Sequence, residues 1–313
     1  MGKTTIEWTS SVNAKGEVVQ GFSFNPWWGC LKVSEGCANC YAETFAKRTG
    51  HTIWGPAATT QRRTFGDKHW QEPLKWNEDA VKAGERRRVF CASMADVFED
   101  HPQLHAERAL LWVLIDQTPA LDWLLLTKRP ENIAGMVPSW WAANGYPGNV
   151  WLGTSVENQA MADKRIAVLA TIPAEVRFLS CEPLLGPVDL TAWMGEREWT
   201  QVAPGVRTRQ GPLVDWVIVG GESGPNTRGP MHPDWVRSLR DQCQAAGVAY
   251  HFKQWGQFVP VGQTDKPWYD SGQMMYAADK HTTVQAIRLK SKHDAGRQLD
   301  GREWNEYPQA VAQ

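Results

Sequence analysis

The chain has 313 residues, and 42% of them are hydrophobic, which suffices for a large core and for one domain of barrel size. Its 33 Lys and Arg residues nearly balance 34 Asp and Glu residues, and the net charge of −1 excludes a global attraction to nucleic acid or to a membrane. The sequence has no apolar run of about 18 residues and no apolar signal core near its start. We therefore expect a cytoplasmic protein without membrane contact.

Seven short apolar runs predict β-strands, most of them followed by a helical segment. The strands are predicted at residues 21–27, 88–94, 122–127, 149–155, 176–183, 214–221 and 248–256, and helices at 41–50, 104–117, 160–170 and 233–246. The runs are continuously apolar, which is typical of parallel strands buried on both faces. Their spacing of roughly 25 to 40 residues matches a β-α unit. The pattern predicts an α/β fold, a partial or full (β/α) barrel, with a doubly wound sheet as the alternative.

Three segments do not follow this alternation of predicted strands and helices. Residues 47–88 form a polar insertion with ten Lys or Arg residues, five Asp or Glu residues and interleaved aromatic residues. Residues 193–212 form a second polar insertion, and the chain beyond residue 260 is polar and poorly periodic. We predict a barrel domain over residues 1–259 and a C-terminal extension over residues 260–313 that packs on it.

Three of the six cysteines, Cys30, Cys37 and Cys40, form a C-x6-C-x2-C array directly after the first predicted strand. A [4Fe–4S] cluster held by three thiolates leaves one iron open to another ligand. A structural zinc site requires four protein ligands, and His51 is the candidate for the fourth. Both interpretations stay open on spacing alone. The remaining cysteines, Cys91, Cys181 and Cys243, lie in predicted strands or helices, where a buried thiol is usually a small hydrophobic group.

Polar residues follow nearly every predicted strand. In a parallel barrel the catalytic groups gather at the carboxyl ends of the strands. The candidates at these ends are Ser93, Asp96, Lys128, Arg129, Ser155, Glu157, Cys181, Glu182, Gly221, Glu222 and Lys253. An ordinary polar loop explains any one of them, but together they predict a functional site at the carboxyl ends of the strands.

The motifs NPWWGC, GCANCYAE, SMADVF, LLTKRPEN, LGTSVEN, RFLSCEPLLGP, VIVGGESGP and FKQWG follow one another between residues 24 and 256. In this set the chain resembles the phage-type three-Cys-motif family, which is regarded as radical-SAM-like. The commonest radical SAM spacing is C-x3-C-x2-C with an aromatic residue before the third cysteine. Here the first gap is six residues, and Asn39 precedes Cys40.

The resemblance implies a radical-SAM-type barrel, with a [4Fe–4S] cluster on the three loop cysteines and S-adenosylmethionine on its open iron. The enzyme would generate a 5′-deoxyadenosyl radical in a bacterial or phage-infected cytoplasm. Flavodoxin or ferredoxin would supply electrons, and a three-Cys-motif partner protein is a candidate partner. Cys181 and Lys253 are the catalytic candidates. The candidates for cofactor binding are Ser93, Asp96, Lys128, Ser155, Glu157, Glu182, Gly221 and Glu222.

The basic and aromatic segment at residues 47–88 suits a phosphate backbone and stacked bases. We therefore expect DNA, RNA or a nucleotide as the substrate of a modification or repair reaction. The structural alternative is that the aromatic rings of this segment simply pack beneath it. The functional alternative is a non-catalytic zinc or iron–sulfur module that binds nucleic acid or a partner.

Overall fold

The structure is a computed structural model, and it describes residues 2–13, 15–195, 198–203, 206–210, 213–224, 226–264, 272–276 and 283–308. Seven strands form one sheet and follow one another across it in chain order. They are β1 (Phe22–Ser23), β2 (Arg87–Cys91), β3 (Leu121–Thr127), β4 (Val150–Ser155), β5 (Val176–Cys181), β6 (Trp216–Gly220) and β7 (Ala249–Gln254). The pairs β1–β2, β2–β3, β3–β4, β5–β6 and β6–β7 are parallel.

This order confirms a mixed α/β fold and is consistent with a partial (β/α) barrel. A doubly wound sheet would instead reverse its strand order at a switch point. The strands are buried as their sequences predict. Every residue of β4 and β5 is buried, and Leu126 is the one residue of β3 that is partly exposed. Burial on both faces is what keeps these runs continuously apolar.

The four predicted helices lie close to their predicted positions, and the described residues contain five further helices that were not predicted. Together they are α1 (Tyr41–Arg48), α2 (Asp67–Trp70), α3 (Glu72–Ala83), α4 (His105–Asp116), α5 (Ile133–Met136), α6 (Ser139–Asn144), α7 (Gln159–Ala170), α8 (Pro233–Ala246) and α9 (Lys292–Ala295). Helix α8 has the predicted bounds, because Pro233 begins it and Gly247 ends it in a left-handed conformation. Among the described residues, no helix is long and apolar enough to cross a membrane.

Short antiparallel strands complete the chain. They pair Ser11–Val12 with Val18–Val19, Trp27–Trp28 with Arg63–Thr64, Glu198–Ala203 with Val206–Gln210, and Gln298–Leu299 with Arg302–Glu303. A three-stranded sheet contains Phe258–Pro260, Thr283–Arg288 and Gly272–Tyr276. The predicted insertion at residues 193–212 therefore contains a hairpin, described over 198–203 and 206–210.

The first predicted strand is interrupted. Residues Phe22–Ser23 join the main sheet, whereas Trp27–Trp28 pair with Arg63–Thr64. The interruption falls at Asn25 and Pro26. The side-chain oxygen of Asn25 accepts a hydrogen bond from the backbone N–H of Met94 at 2.7 Å, and Pro26 has no N–H to give to a ladder.

The polar segment at residues 47–88 contributes more to the core than expected. It contains α2 and α3, and Trp76 on α3 stacks on Phe22 with ring centroids 4.4 Å apart. Trp70 packs its ring edge-on against Phe24 at 5.5 Å. The structure thus assigns Trp70 and Trp76 to packing, as the structural alternative proposed.

The chain divides into two compact units. Unit 1 comprises residues 1–154 and 171–176, and unit 2 comprises residues 155–170 and 177–313. Within unit 2, the C-terminal residues bond back to the strands. The backbone N–H of Phe252 donates to the carbonyl of Trp304 at 2.9 Å, and the indole of Trp216 donates to the carbonyl of Glu306 at 2.9 Å. The described part of the C-terminal extension is thereby anchored on β6 and β7.

Candidate functional site

The cysteine loop of unit 1 begins at Gly29, a position where the surrounding structure leaves no room for a side chain. Gly29 has φ of +116°, and its N–H donates to the carbonyl of Met94 at 3.0 Å. A Cβ at this position would collide with the carbonyl oxygen of Ile53 and would lie 2.6 Å from Cδ of Arg62. Only glycine combines that conformation with that close approach. The turn fixes the position at which Cys30 leaves the strand.

Cys30 is held by a buried arginine. The Arg129 guanidinium donates through Nη1 to the Cys30 Sγ at 3.7 Å and to the Asp96 carboxylate at 2.8 Å. Its Nη2 donates to the carbonyl of Leu31 at 2.6 Å. Burial raises the pKa of the Cys30 thiol to about 12, with Asp96 adding to the rise and Arg129 opposing it. A cation therefore directly contacts the first cysteine of the array.

The Asp96 carboxylate accepts all the hydrogen bonds that join it to this network. Its Oδ1 accepts hydrogen bonds from the Thr127 hydroxyl at 2.7 Å and from the backbone N–H of Phe98 at 3.0 Å. Its Oδ2 accepts from the backbone N–H of Lys128 at 3.1 Å and from Arg129. Four donors thus surround a carboxylate that the sequence offered as a cofactor ligand. In this arrangement Asp96 joins the ends of β2 and β3 and orients Arg129.

Ser93 is also engaged within unit 1. Its hydroxyl lies 3.3 Å from the Ser23 hydroxyl and accepts from the Asn25 amide at 3.0 Å. Its carbonyl accepts from the Tyr41 hydroxyl at 2.7 Å, which ties the start of α1 to the end of β2. Ser93 thereby connects the first strand to the helix that follows the cysteines.

The other two cysteines lie together further along the loop. Cys40 directly precedes α1, and burial raises its pKa, whereas the backbone N–H groups of Glu43 and Ala42 oppose the rise. The negative charge of a Cys37 thiolate raises it further and the Lys128 ammonium lowers it, so both groups lie near Cys40. The Cys37 Sγ is 3.8 Å from the Ser34 hydroxyl.

Charge pairs brace the same loop. Lys32 donates to the carbonyl of Ala38 at 3.2 Å and pairs with Glu43 at 2.6 Å. Lys47 reaches the other oxygen of Glu43 at 2.6 Å from one turn along α1. The carboxylate thus connects the cysteine loop to the helix that the third cysteine begins.

The donor types fit a cluster that takes three protein ligands. All three loop cysteines are free thiols of intermediate burial, and they are the soft ligands that iron–sulfur clusters require. Among the described residues, no three His, Cys, Asp or Glu side chains are grouped closely enough to hold a metal ion. Loading a cluster therefore requires Cys30, Cys37 and Cys40 to converge from the positions described above.

His51, the fourth ligand of the zinc alternative, has another partner. Its Nε2 accepts a hydrogen bond from the Arg63 guanidinium at 2.7 Å, and its ring packs edge-on against Trp28 at 6.0 Å. Because an imidazole nitrogen that accepts from a guanidinium has its lone pair occupied, His51 would have to release Arg63 to ligate zinc through this atom.

A buried ion pair beneath the loop escaped sequence analysis. Arg62 donates to both oxygens of Glu99, through Nε at 3.0 Å and Nη2 at 2.8 Å, with side-chain exposures of 0% and 3%. The same guanidinium donates to the carbonyls of Ile53, Thr60 and Gly55 at 3.2, 3.1 and 2.7 Å. The N–H of Gly55 in turn donates to the carbonyl of Cys30 at 3.2 Å. In the sequence Arg62 is one of ten basic residues of the insertion, and nothing there indicates its distant partner Glu99.

Unit 2 brings together a second polar group. The Glu182 carboxylate accepts from the Lys253 ammonium at 2.6 Å and from the Gln254 amide at 3.0 Å. Removal from water raises the pKa of Glu182, but Lys253 outweighs this effect, and the net pKa is lowered. The Gln254 amide also donates to the carbonyl of Gly221 at 2.9 Å. Two of the sequence candidates, Glu182 and Lys253, therefore form one ion pair at the ends of β5 and β7.

Ser155 ends β4, Glu157 follows two residues later, and both are tied to α7. The Arg165 guanidinium donates to the Glu157 carboxylate at 2.6 Å and to the carbonyl of Ser155 at 2.8 Å. Both charged side chains are at most 3% exposed. This buried pair fastens the helix to the residues that lead into it, and leaves Glu157 little surface to offer a ligand.

The glycine turn after β6 is explained by chain packing. A Cβ on Gly221 would collide with the carbonyl of Trp255, so the backbone after β7 is what requires glycine there. Glu222 accepts from the Arg228 backbone at 2.7 Å and from its guanidinium at 3.0 Å. At Gly221, a candidate for cofactor binding in the sequence, the close neighbour is thus the chain's own backbone.

Cys181 ends β5 with no exposed surface. Burial raises the pKa of its thiol well above the ordinary value, and a Glu157 charge adds to the rise. Burial thus keeps Cys181, a catalytic candidate in the sequence, as a neutral thiol. Cys91 and Cys243 are buried in the same way, as their sequence positions indicate.

The pair Glu182–Lys253 gives a testable pH dependence. Because the folded-state pKa of Glu182 is lowered, its stabilisation is complete above the ordinary value of 4.5 and is lost as the pH falls through the folded value. We expect Glu182→Gln to lower the stability by about 1–2 kcal/mol at pH 7 and by much less at pH 3. Thermal melting at both pH values measures this, with Glu78→Gln on the exposed face of α3 as the control. An equal loss at both pH values would contradict the assignment.

Comparison with known proteins identifies a family. A family model described as a protein of unknown function, DUF5131, matches residues 3–308. No curated protein and no solved structure matched the chain.

Proposed function

Because the chain belongs to the DUF5131 family, whose description assigns no activity, we propose its function from its own residues. It is an iron–sulfur enzyme of the radical SAM type that acts on a nucleic acid or nucleotide. Cys30, Cys37 and Cys40 are its cluster ligands. The electron donor is a small redox protein such as flavodoxin or ferredoxin.

The observation that carries the proposal is the contact of Cys30 with the Arg129 guanidinium, which Asp96 holds in place. A structural zinc site has no redox potential for a hydrogen-bonded guanidinium to tune, because zinc is redox-inactive. A cluster with three thiolates carries net negative charge, and hydrogen bonds to its sulfurs tune its potential. Arg129 is placed to supply both a positive charge and a hydrogen bond.

Other residues of the chain have supporting roles in this proposal. The N–H groups at the start of α1 favour a thiolate at Cys40, and Lys128 adds a positive charge there. When bound to such a cluster, S-adenosylmethionine would supply a carbon radical that removes hydrogen from a substrate. Lys253 and Glu182, which the sequence offers for catalysis and cofactor binding, form an ion pair with each other in unit 2.

Anaerobic reconstitution with iron and sulfide tests the proposal. We expect about four iron and four sulfide ions per chain and a brown chromophore. Stoichiometric zinc after native purification, with no iron uptake on reconstitution, would instead support the zinc module. Retention of zinc in a His51→Ala variant would then show that His51 is not its ligand.

Arg129 can be tested as a positioning residue. Arg129→Lys keeps a positive charge beside Asp96 but cannot reach Cys30 and the Leu31 carbonyl with one planar fork. We expect the reconstituted variant to lose iron to a chelator about tenfold faster and to shift the cluster potential. The control is Arg86→Lys, because Arg86 pairs with Asp122 on the same unit and is half exposed. Unchanged iron loss and potential would refute the role of Arg129.

A further inference from the structure

Next to the cysteine loop, unit 1 carries a row of aromatic rings and arginines that we call the arginine–aromatic surface. It consists of Phe45, Trp28 and Phe65 with Arg48 and Arg63. The Arg63 guanidinium lies 4.8 Å from the Trp28 ring centre and 5.3 Å from that of Phe65. Arg48 lies 5.6 Å from the Phe45 ring centre, and the Phe45 and Trp28 rings meet edge-on at 5.9 Å.

The local chain explains this arrangement. Trp28 and Arg63 are paired across the short antiparallel ladder, so their side chains share one face. Phe45 and Arg48 lie three residues apart on α1, which places them on one side of that helix. Trp28 is two residues before Cys30 and α1 begins after Cys40, so the surface borders the array at both ends.

The two arginines of this surface differ from their neighbours in the basic segment. Arg62, Arg86 and Arg87 each pair with a carboxylate. Within the described ranges, neither Arg48 nor Arg63 has a carboxylate partner, and Arg63 has one protein acceptor, His51. Both residues are exposed, and Phe45 is 37% exposed. The surface therefore presents uncompensated guanidinium groups beside rings with accessible area.

We infer that the arginine–aromatic surface binds single-stranded nucleic acid, which deepens the proposed function and rests on it for the role of the strand as substrate. A guanidinium fork matches the geometry of a phosphate, and aromatic rings stack with bases of any sequence. His51 and the flanking rings hold the Arg63 plane in place, so less side-chain freedom is lost on binding. A carboxylate-rich protein would use the guanidinium groups but would leave the rings without a stacking partner.

The near-zero net charge of the chain leads to a specific expectation for the salt dependence of strand binding. Because the net charge of the chain does not attract a polyanion, binding must come from local contacts. The salt dependence of the affinity then measures the number of these contacts. Each phosphate contact on a single strand contributes a slope of about −0.7 to the plot of log affinity against log salt. Two arginine contacts account for about −1.4 of the slope of the whole protein.

The test uses fluorescence anisotropy with a labelled 15-nucleotide oligothymidine and its RNA counterpart, on the full chain before and after reconstitution. We expect Arg63→Gln and Arg48→Gln each to weaken binding about tenfold and to reduce the slope by about 0.7. Lys82→Gln is the matched control, because Lys82 lies in the same basic segment and pairs with Glu78. It should change affinity less than twofold. Circular dichroism and melting of each variant check that it folds.

Three outcomes would overturn the inference. They are no binding at low salt, equal losses in the arginine and lysine variants, and displacement of the oligonucleotide by polyglutamate at a lower concentration than by unlabelled strand. An iron-loaded protein that binds no strand refutes the surface and leaves the cluster proposal intact. Arginine-dependent binding by a protein that takes up no iron supports the surface and refutes the cluster proposal.

Discussion

Cys30→Ala is expected to abolish assembly of the iron–sulfur cluster that we propose. Removing one of three protein ligands leaves two thiolates, and the contact with Arg129 is lost as well. We expect iron uptake on reconstitution to fall from about four ions per chain to less than about one, with loss of the brown absorbance. Cys37→Ala and Cys40→Ala should give the same result, since each removes one of the three thiolates that we assign to the cluster.

The buried cysteines supply the control. Cys91→Ala removes a thiol at the end of β2. The Cys91 side chain is fully buried and lies outside the cysteine loop. It should retain full iron uptake despite a modest loss of stability. Iron loss in the Cys91 variant equal to that in the Cys30 variant would mean that uptake reports folding, and the assignment of the loop cysteines would fail.

Arg62→Met is expected to destabilise unit 1 by about 3–5 kcal/mol. The substitution leaves Glu99 buried at 3% exposure without its bidentate partner and releases three carbonyls that Arg62 holds. Because one of these belongs to Gly55, whose N–H bonds to the Cys30 carbonyl, the cysteine loop should also loosen.

Urea unfolding followed by tryptophan fluorescence measures this loss. The control is Lys82→Met, which breaks an exposed pair worth at most about 0.5 kcal/mol. The double variant Arg62→Met and Glu99→Met removes both charges and should recover much of the stability. A loss below about 1 kcal/mol for Arg62→Met alone would contradict the structural role of the pair.

Much of the fold was predictable because its signals are local. Strands β2 to β7 lie within a few residues of their predicted positions, since each is an apolar run bounded by polar turns. The bounds of α8 followed from Pro233 and Gly247. The first strand was predicted too long because its break depends on the bond from Met94 to Asn25, two residues far apart in sequence.

The candidate site was predictable in position and less so in detail. The cysteine array and the polar strand ends are visible in the sequence, but a carboxylate at a strand end looks the same whether it meets a ligand or a neighbouring side chain. Asp96 meets Arg129, and Glu157 meets Arg165. These pairings depend on which residues the fold brings together, so the sequence indicates the residues without their partners.

The central claim is that the three-cysteine loop holds a cluster with an iron open to S-adenosylmethionine. The most direct test is electron paramagnetic resonance of the reconstituted protein, reduced with dithionite, with and without S-adenosylmethionine. The account predicts a cluster signal whose g values shift when the compound is added, accompanied by formation of 5′-deoxyadenosine. A cluster signal that the compound leaves unchanged, with no 5′-deoxyadenosine formed, would contradict it.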